Sequence, residues 1–209
     1  MNERRIISDA CVAEGAAWLC QHEPRFAAAM QDLPPLPLRL KPEGFAELFS
    51  AIVSQQVSVA SANAIWGKLF AAGMTTPEVV AQASEERLRE LGLSGQKVRY
   101  AHALARANID YAALQKQPSD DAIKTLTAVS GIGPWTAEIY VMFALGRADV
   151  FAPGDLALQE AAKLIFDLPE RPKEKAFREM AQNWSPCRSV AARILWAYYK
   201  HSKQREGIT

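Results

Sequence analysis

The chain has 209 residues, 49% of them apolar, 22% charged and 9% aromatic, which suits one globular domain or two closely packed lobes and excludes a disordered chain. Lys and Arg number 24 against 23 Asp and Glu, a net charge of +1, so any polyanion site must be a local patch. No apolar run approaches the roughly 18 residues of a spanning helix, and Glu3, Arg4, Arg5, Asp9 and Glu14 stand where a signal peptide would be apolar, so a cytoplasmic protein without membrane contact is expected.

Taken in chain order, helix signals are dense and strand signals nearly absent, so the fold class is all-α. Ser8 can cap a helix through about Gln21, and the Pro34–Pro37 stretch is an extended connector. Phe45, Leu48, Phe49, Ile52 and Val53 form the apolar stripe of a helix starting near Gly44. Ser58 opens a helix to about Ala72, Thr76-Pro77-Glu78 reads as a helix start, Ser84 caps a short helix ending at Gly92, and Ser94 begins one through about Ile109. Ser119 is expected to cap Asp120–Thr127, Pro134 to open a helix through about Leu145, and Ser185-Pro186 to start the last helix, ending near His201. About ten short helices result, with no solenoid repeat.

Cys11, Cys20 and Cys187 lack the spacing of a zinc site or an iron–sulfur centre and read as three reduced thiols, so no metal is held by side chains. The net charge conceals an asymmetry. Residues 92–109 hold Lys97, Arg99 and Arg106 with no acid, and residues 168–209 hold nine Lys and Arg against four Glu. Solvated helix faces or phosphate-facing surfaces both explain such runs.

Val129-Ser130-Gly131-Ile132-Gly133-Pro134-Trp135-Thr136-Ala137 lies between two helices. Its glycines permit a tight turn with positive φ and bring bare backbone close to a ligand, and the following helix starts with N–H groups at the positive end of its dipole. Turn and helix together can grip a phosphate. An ordinary interhelical turn would be the default without further signals.

Three blocks supply them: residues 44–69 (GFAELFSAIVSQQVSVASANAIWGKL), 126–158 (LTAVSGIGPWTAEIYVMFALGRADVFAPGDLAL) and 184–196 (WSPCRSVAARILW). Together they resemble the helix-hairpin-helix DNA glycosylases of the DNA-3-methyladenine glycosylase II type, over roughly residues 44–200. The resemblance implies two helical lobes with DNA in the cleft between them. One lobe would run from about 45 to 140 and include a hairpin over 119–145; the other would join 1–44 to 141–209, the whole chain being a single glycosylase domain. It also implies a compact version, without the extra N-terminal α/β domain of some relatives.

In the family pattern the catalytic aspartate ends a loop after the hairpin helix, here Pro153-Gly154-Asp155. A carboxylate at a helix start also serves as an N-cap, and both roles can coexist. Two positions after Gly133, relatives resembling endonuclease III carry a lysine that forms a Schiff base; here it is Trp135, which implies hydrolysis by water without strand cleavage. Alkylated purines carry positive charge and leave easily, so the enzyme needs chiefly to flip the base into an aromatic pocket. Trp135, Trp196 and Tyr140 are the candidates, against core packing; the position after Trp196, often aromatic in relatives, is Ala197.

Gln56 matches the side chain that fills the hole left by a flipped base, and Ser58 either caps the next helix or touches phosphate. Lys97 sits where the family has a loop near DNA, so it reads as a phosphate contact or a solvated surface lysine. Ser130, Gly131, Ile132, Gly133 and Thr136 are the hairpin's DNA-binding residues. Arg188 is expected to brace the interlobe junction or the Asp155 loop, and Cys187 replaces a larger residue. The implied protein is a monomer acting on double-stranded DNA, nucleoid-associated when bound, with no cofactor except a structural monovalent cation that hairpin carbonyls could hold. A glycosylase for another damaged base, or a DNA-binding module without catalysis, are the alternatives.

Overall fold

Serine side chains begin several of the helices, because a hydroxyl oxygen at the N-cap accepts one of the N–H groups that a first turn leaves without an intrahelical partner. In the computed structural model, which describes residues 3–205, Ser8 accepts from Cys11 N–H, Ser58 from Ser61, Ser84 from Arg87 and Ser94 from Lys97. The helices are α1 (Asp9–His22), α2 (Pro24–Met30), α3 (Phe45–Ser54), α4 (Val59–Ala71), α5 (Pro77–Gln82), α6 (Glu85–Glu90), α7 (Gly95–Arg106), α8 (Tyr111–Leu114), α9 (Ser119–Thr127) and α10 (Pro134–Phe143). There follow α11 (Leu156–Ile165), α12 (Glu174–Met180), a 3-10 turn (Ala181–Trp184) and α13 (Arg188–Arg205). Among the described residues there is no strand, only an isolated bridge between Arg5 and Arg147, and the all-α expectation holds.

Two helix starts differ from expectation. Ser119 is the first residue inside α9 rather than its cap; Pro118 holds the cap position, and Ser119 is buried. Ser185-Pro186 precedes α13 as a cis peptide, and the helix begins only at Arg188. Thr76 stands at the cap of α5 but makes no capping side-chain bond. The helices α2, α8 and α12 carry seven, four and seven residues, too few for a periodic apolar signal to emerge from the sequence.

The chain divides into two units, one of Lys41–Tyr140 and one of the segments on either side. In the first, α3 turns Phe45, Leu48, Phe49, Ile52 and Val53 inward, and α3 packs on α4 and α7 while α5 packs on α7. The predicted stripe of α3 is therefore the core stripe of this unit.

The second unit is centred on aromatic rings. Trp184 is 2% exposed and meets Phe26, Phe151 and Phe166 at centroid distances of 5.2, 5.4 and 5.6 Å. Truncating such a ring costs about 3–5 kcal/mol. Gly15 lets α1 approach α13 closely: a Cβ there would lie 2.6 Å from Val190 Cγ2. The packing of α11 on α13 brings the loop before α11 to the side of the last helix.

Candidate active site and nucleic-acid-binding hairpin

The hairpin is α9, a turn over residues 128–133, and α10. Gly131 adopts φ +95°, and a Cβ on it would lie 2.4 Å from Tyr100 Cγ, so both backbone and ring demand glycine. Gly133 differs from the expectation of positive φ at both glycines: its φ lies outside that region, it is exposed, and a Cβ would meet nothing within 4 Å. Between them Ile132 is buried and donates its N–H to Val129 O at 3.0 Å, plugging the turn into the core. Ser130 is exposed on the rim. Thr136, expected to face DNA, is 5% exposed; as a correction, it is buried and borders a surface cavity.

That cavity, of about 180 Å³, lies between α3 and α10 and brings together Trp135, Thr136, Tyr140, Gln55 and Glu47. Trp135 is 44% exposed, whereas Tyr140 is buried and its phenol oxygen accepts the Gly44 N–H at 2.8 Å. Burial, with help from the Glu43 and Glu47 carboxylates and against the Gly44 bond, pushes the Tyr140 phenol up to about 12. It stays protonated at neutral pH. Trp196 belongs to the other unit.

The turn between α3 and α4 is tied to the hairpin by Gln55, whose amide donates to Gly131 O at 3.0 Å. Next to it Gln56 is exposed with φ +57°. Ser58 caps α4 and also donates to Ser61 Oγ at 3.0 Å. Lys97 is neither of the two things the sequence offers. It is buried, with Nζ donating to Val53 O at 2.6 Å, and burial lowers its pKa; its ammonium ties the start of α7 to the last turn of α3. Two hairpin carbonyls that a monovalent cation could use, Val129 O and Gly131 O, already accept the Ile132 N–H and the Gln55 amide. Among the described residues no group of three or more His, Cys, Asp or Glu gathers as a metal site, and no helix is long and apolar enough to cross a membrane.

In the second unit Asp155 caps α11. Its Oδ1 accepts from Ala157 N–H at 2.9 Å, Leu158 N–H at 3.0 Å and Trp196 Nε1–H at 3.3 Å. The turn before it is closed by Asp155 N–H to Ala152 O at 3.0 Å, and buried Gln159 donates to Pro153 O at 2.6 Å. The carboxylate is thus half-buried, oriented by three N–H donors at the positive end of a helix, where an anion is favoured. Arg188 braces the segment leading to this loop: its guanidinium donates to both Asp149 oxygens, at 2.8 and 3.1 Å. Cys187 is buried, and burial pushes its thiol up.

Sequence reasoning did not single out Arg39 and Arg193. Arg193 is buried on α13 and donates to Ser189 O, Pro37 O and Leu38 O; burial and the nearby Arg39 push it down to about 10, still a cation at neutral pH. An arginine inside the apolar run Val190–Leu195 is a usable signal, since a buried charge needs dedicated partners. Arg39 carries no such signal in its connector.

The chain is similar to several known proteins. DNA-3-methyladenine glycosylase 1 of Schizosaccharomyces pombe is 30% identical over 165 residues, 75% of this chain and 72% of that protein. The matched part of a Bacillus subtilis relative is only 43% of that relative's length. The crystal structure of a Bacillus halodurans DNA-3-methyladenine glycosidase superposes with a TM-score of 0.82 at 30% identity, covering 98% of this chain and 95% of that one. A Schizosaccharomyces pombe 3-methyladenine DNA glycosylase in complex with abasic DNA gives a TM-score of 0.74 at 26% identity, covering 88% of this chain and 95% of that one. Residues 49–187, which include the hairpin, Asp155 and the start of α11, match the family as well, and the chain belongs to the HhH-GPD superfamily of base excision DNA repair proteins.

Proposed function

We propose that this chain is a monofunctional DNA glycosylase that flips alkylated purines of the 3-methyladenine and 7-methylguanine type out of duplex DNA and hydrolyses their N-glycosidic bond. The observation that carries the reading is the Asp155 carboxylate, held on the first turn of α11 by two backbone N–H groups and the Trp196 indole in a member of this family. As the bond from C1′ to the base nitrogen breaks, its electron pair leaves with the base and positive charge develops on the sugar; a fixed carboxylate stabilises that charge and orients the water that adds to C1′. A base alkylated to a cation departs neutral, so little general acid is required.

The hairpin backbone from Ser130 to Gly133 grips phosphate, Gln56 enters the stack, and the aromatic candidates for the flipped base are Trp135 and Tyr140 in one unit and Trp196 in the other. Trp135 supplies no amine for a Schiff base, so the product is an abasic site in an unbroken strand. No cofactor enters this scheme, and the protein works as a cytoplasmic monomer on chromosomal DNA, the whole chain forming one glycosylase domain.

Wild type and Asp155→Asn are incubated with methylated duplex DNA, released bases are separated by chromatography, and strand breaks are scored before and after alkali. Wild type is expected to release methylpurines and to yield breaks only after alkali; the variant should lose release by about 100-fold or more while still binding duplex. Tight binding without release by wild type would replace catalysis with a DNA-binding role.

A further inference from the structure

The face that α3 turns toward α10 carries Glu47, Ser50, Ala51 and Ser54, spaced so that all four share one side of the helix. Three of these side chains are small, so the two helices do not close on each other, and the surface cavity of about 180 Å³ remains between them. Its two ends differ. At the hairpin end stand Trp135, 44% exposed, and Gln55, which is bonded to Gly131 O. Glu47 lies two turns of α3 back from Ser54, about 10 Å along the helix, and marks the other end together with Tyr140.

That far end already holds a cation. Glu47 is mostly buried, and its Oε1 accepts from Lys41 Nζ at 2.5 Å, while Lys41 itself is half-exposed. The other acid close to Tyr140 is Glu43, which accepts the Gln115 amide. Two carboxylates against one ammonium leave this end of the cavity negative. The Tyr140 phenol feels the same field, since both carboxylates oppose its ionisation. A field that disfavours an anion favours a cation in the same place.

A flipped base that enters from the hairpin side stacks on the open face of Trp135 and directs its far edge toward Glu47. There its charge decides the outcome. 7-Methylguanine in DNA is a cation and gains from the carboxylate, whereas ethenoadenine is neutral and gains little. We propose that Glu47 is a specificity-determining residue whose carboxylate favours cationic alkylpurines over neutral damaged bases in this cavity, with Lys41 as the resident cation that the base displaces. The proposal rests on the glycosylase reading above and names a residue behind its charge preference. Asp155, Arg39 and Arg193 belong to the other unit and are the same in every variant compared below, so their charges do not enter the differences.

The test compares wild type, Glu47→Gln and Lys41→Met on duplexes carrying a single 7-methylguanine or a single ethenoadenine, reading the ratio of kcat/KM for the two bases. A ratio measured within one preparation cancels any loss of folded protein. Glu47→Gln removes the carboxylate and leaves the Lys41 charge uncompensated, so the ratio is expected to move toward ethenoadenine by at least about fivefold. Lys41→Met removes the competing cation and should move it the opposite way, by about twofold or more. If wild type releases no detectable ethenoadenine, its release by Glu47→Gln, or a fall of at least about fivefold in 7-methylguanine release at unchanged affinity for abasic duplex, is the expected result. An unchanged ratio in Glu47→Gln, unchanged 7-methylguanine release where that is the only base released, or a Lys41→Met shift in the same direction as Glu47→Gln overturns the proposal while leaving glycosylase function intact. Release of neither base by wild type overturns the glycosylase reading and this one with it.

Discussion

Tyr140 shows how a single side chain couples site and stability. Its phenol titrates at about 12 in the folded chain against an ordinary value of 10.0, chiefly because burial penalises the phenolate. A raised acid binds its proton more tightly folded than unfolded, so the associated stability is fully present below pH 10 and is lost as pH rises through 12. The difference is worth about 2–3 kcal/mol. Tyr111, also raised by burial, acts in the same direction. Denaturant midpoints measured between about pH 9 and about pH 12 should fall steeply for wild type and less steeply for Tyr140→Phe, which starts lower because it loses the Gly44 bond. An equal slope in both would move the effect to other groups. Lys97 illustrates the limit of residue-level reading: its place in a basic segment suggested an outward charge, and its inward bond to Val53 O joins residues 44 positions apart. No local pattern encodes that partner.

At the scale of the element, the two hairpin glycines separate folding from ligand approach. Gly131→Ala forces a side chain into positive φ and into the Tyr100 ring, so it should cost about 2–4 kcal/mol, which is roughly 5–15 °C in Tm for a chain of this size. Gly133→Ala meets open space, so its stability should stay within about 0.5 kcal/mol of wild type. Loss of duplex affinity in Gly133→Ala at an unchanged Tm would then report a DNA backbone approaching where the glycine is bare. Full affinity in that variant would remove Gly133 from the DNA contact. Serine caps at Ser8, Ser58, Ser84 and Ser94 were legible because a cap is a local exchange between a hydroxyl and an N–H three residues on. The start of α13 was not, since the Ser185-Pro186 pattern fits a helix start equally well in sequence, and the helix begins two residues later, at Arg188.

At the scale of the whole molecule, a net charge of +1 means that affinity for duplex DNA must come from local contacts. Phosphate binding releases counterions, so the observed association constant should fall with salt at a logarithmic slope of about −0.9 per phosphate neutralised. A hairpin and a few side chains predict a slope between about −2 and −5, measured by fluorescence anisotropy across a series of salt concentrations. A slope near zero would exclude phosphate as the main contact.

The sequence by itself determined the all-α class, most helix starts, and the candidates for the site: the Gly-x-Gly turn, Trp135 two positions beyond it, and Asp155 at the head of a helix. Those features are local, written in caps, periodicity and short motifs. Only the tertiary structure decided that Tyr140 binds Gly44, that Lys97 is turned inward, that Arg188 braces Asp149, and that Trp196 bridges Asp155 to Arg39. Each of these joins residues far apart in the chain, through interactions whose strength depends on burial and on angles that exist only once the helices have packed.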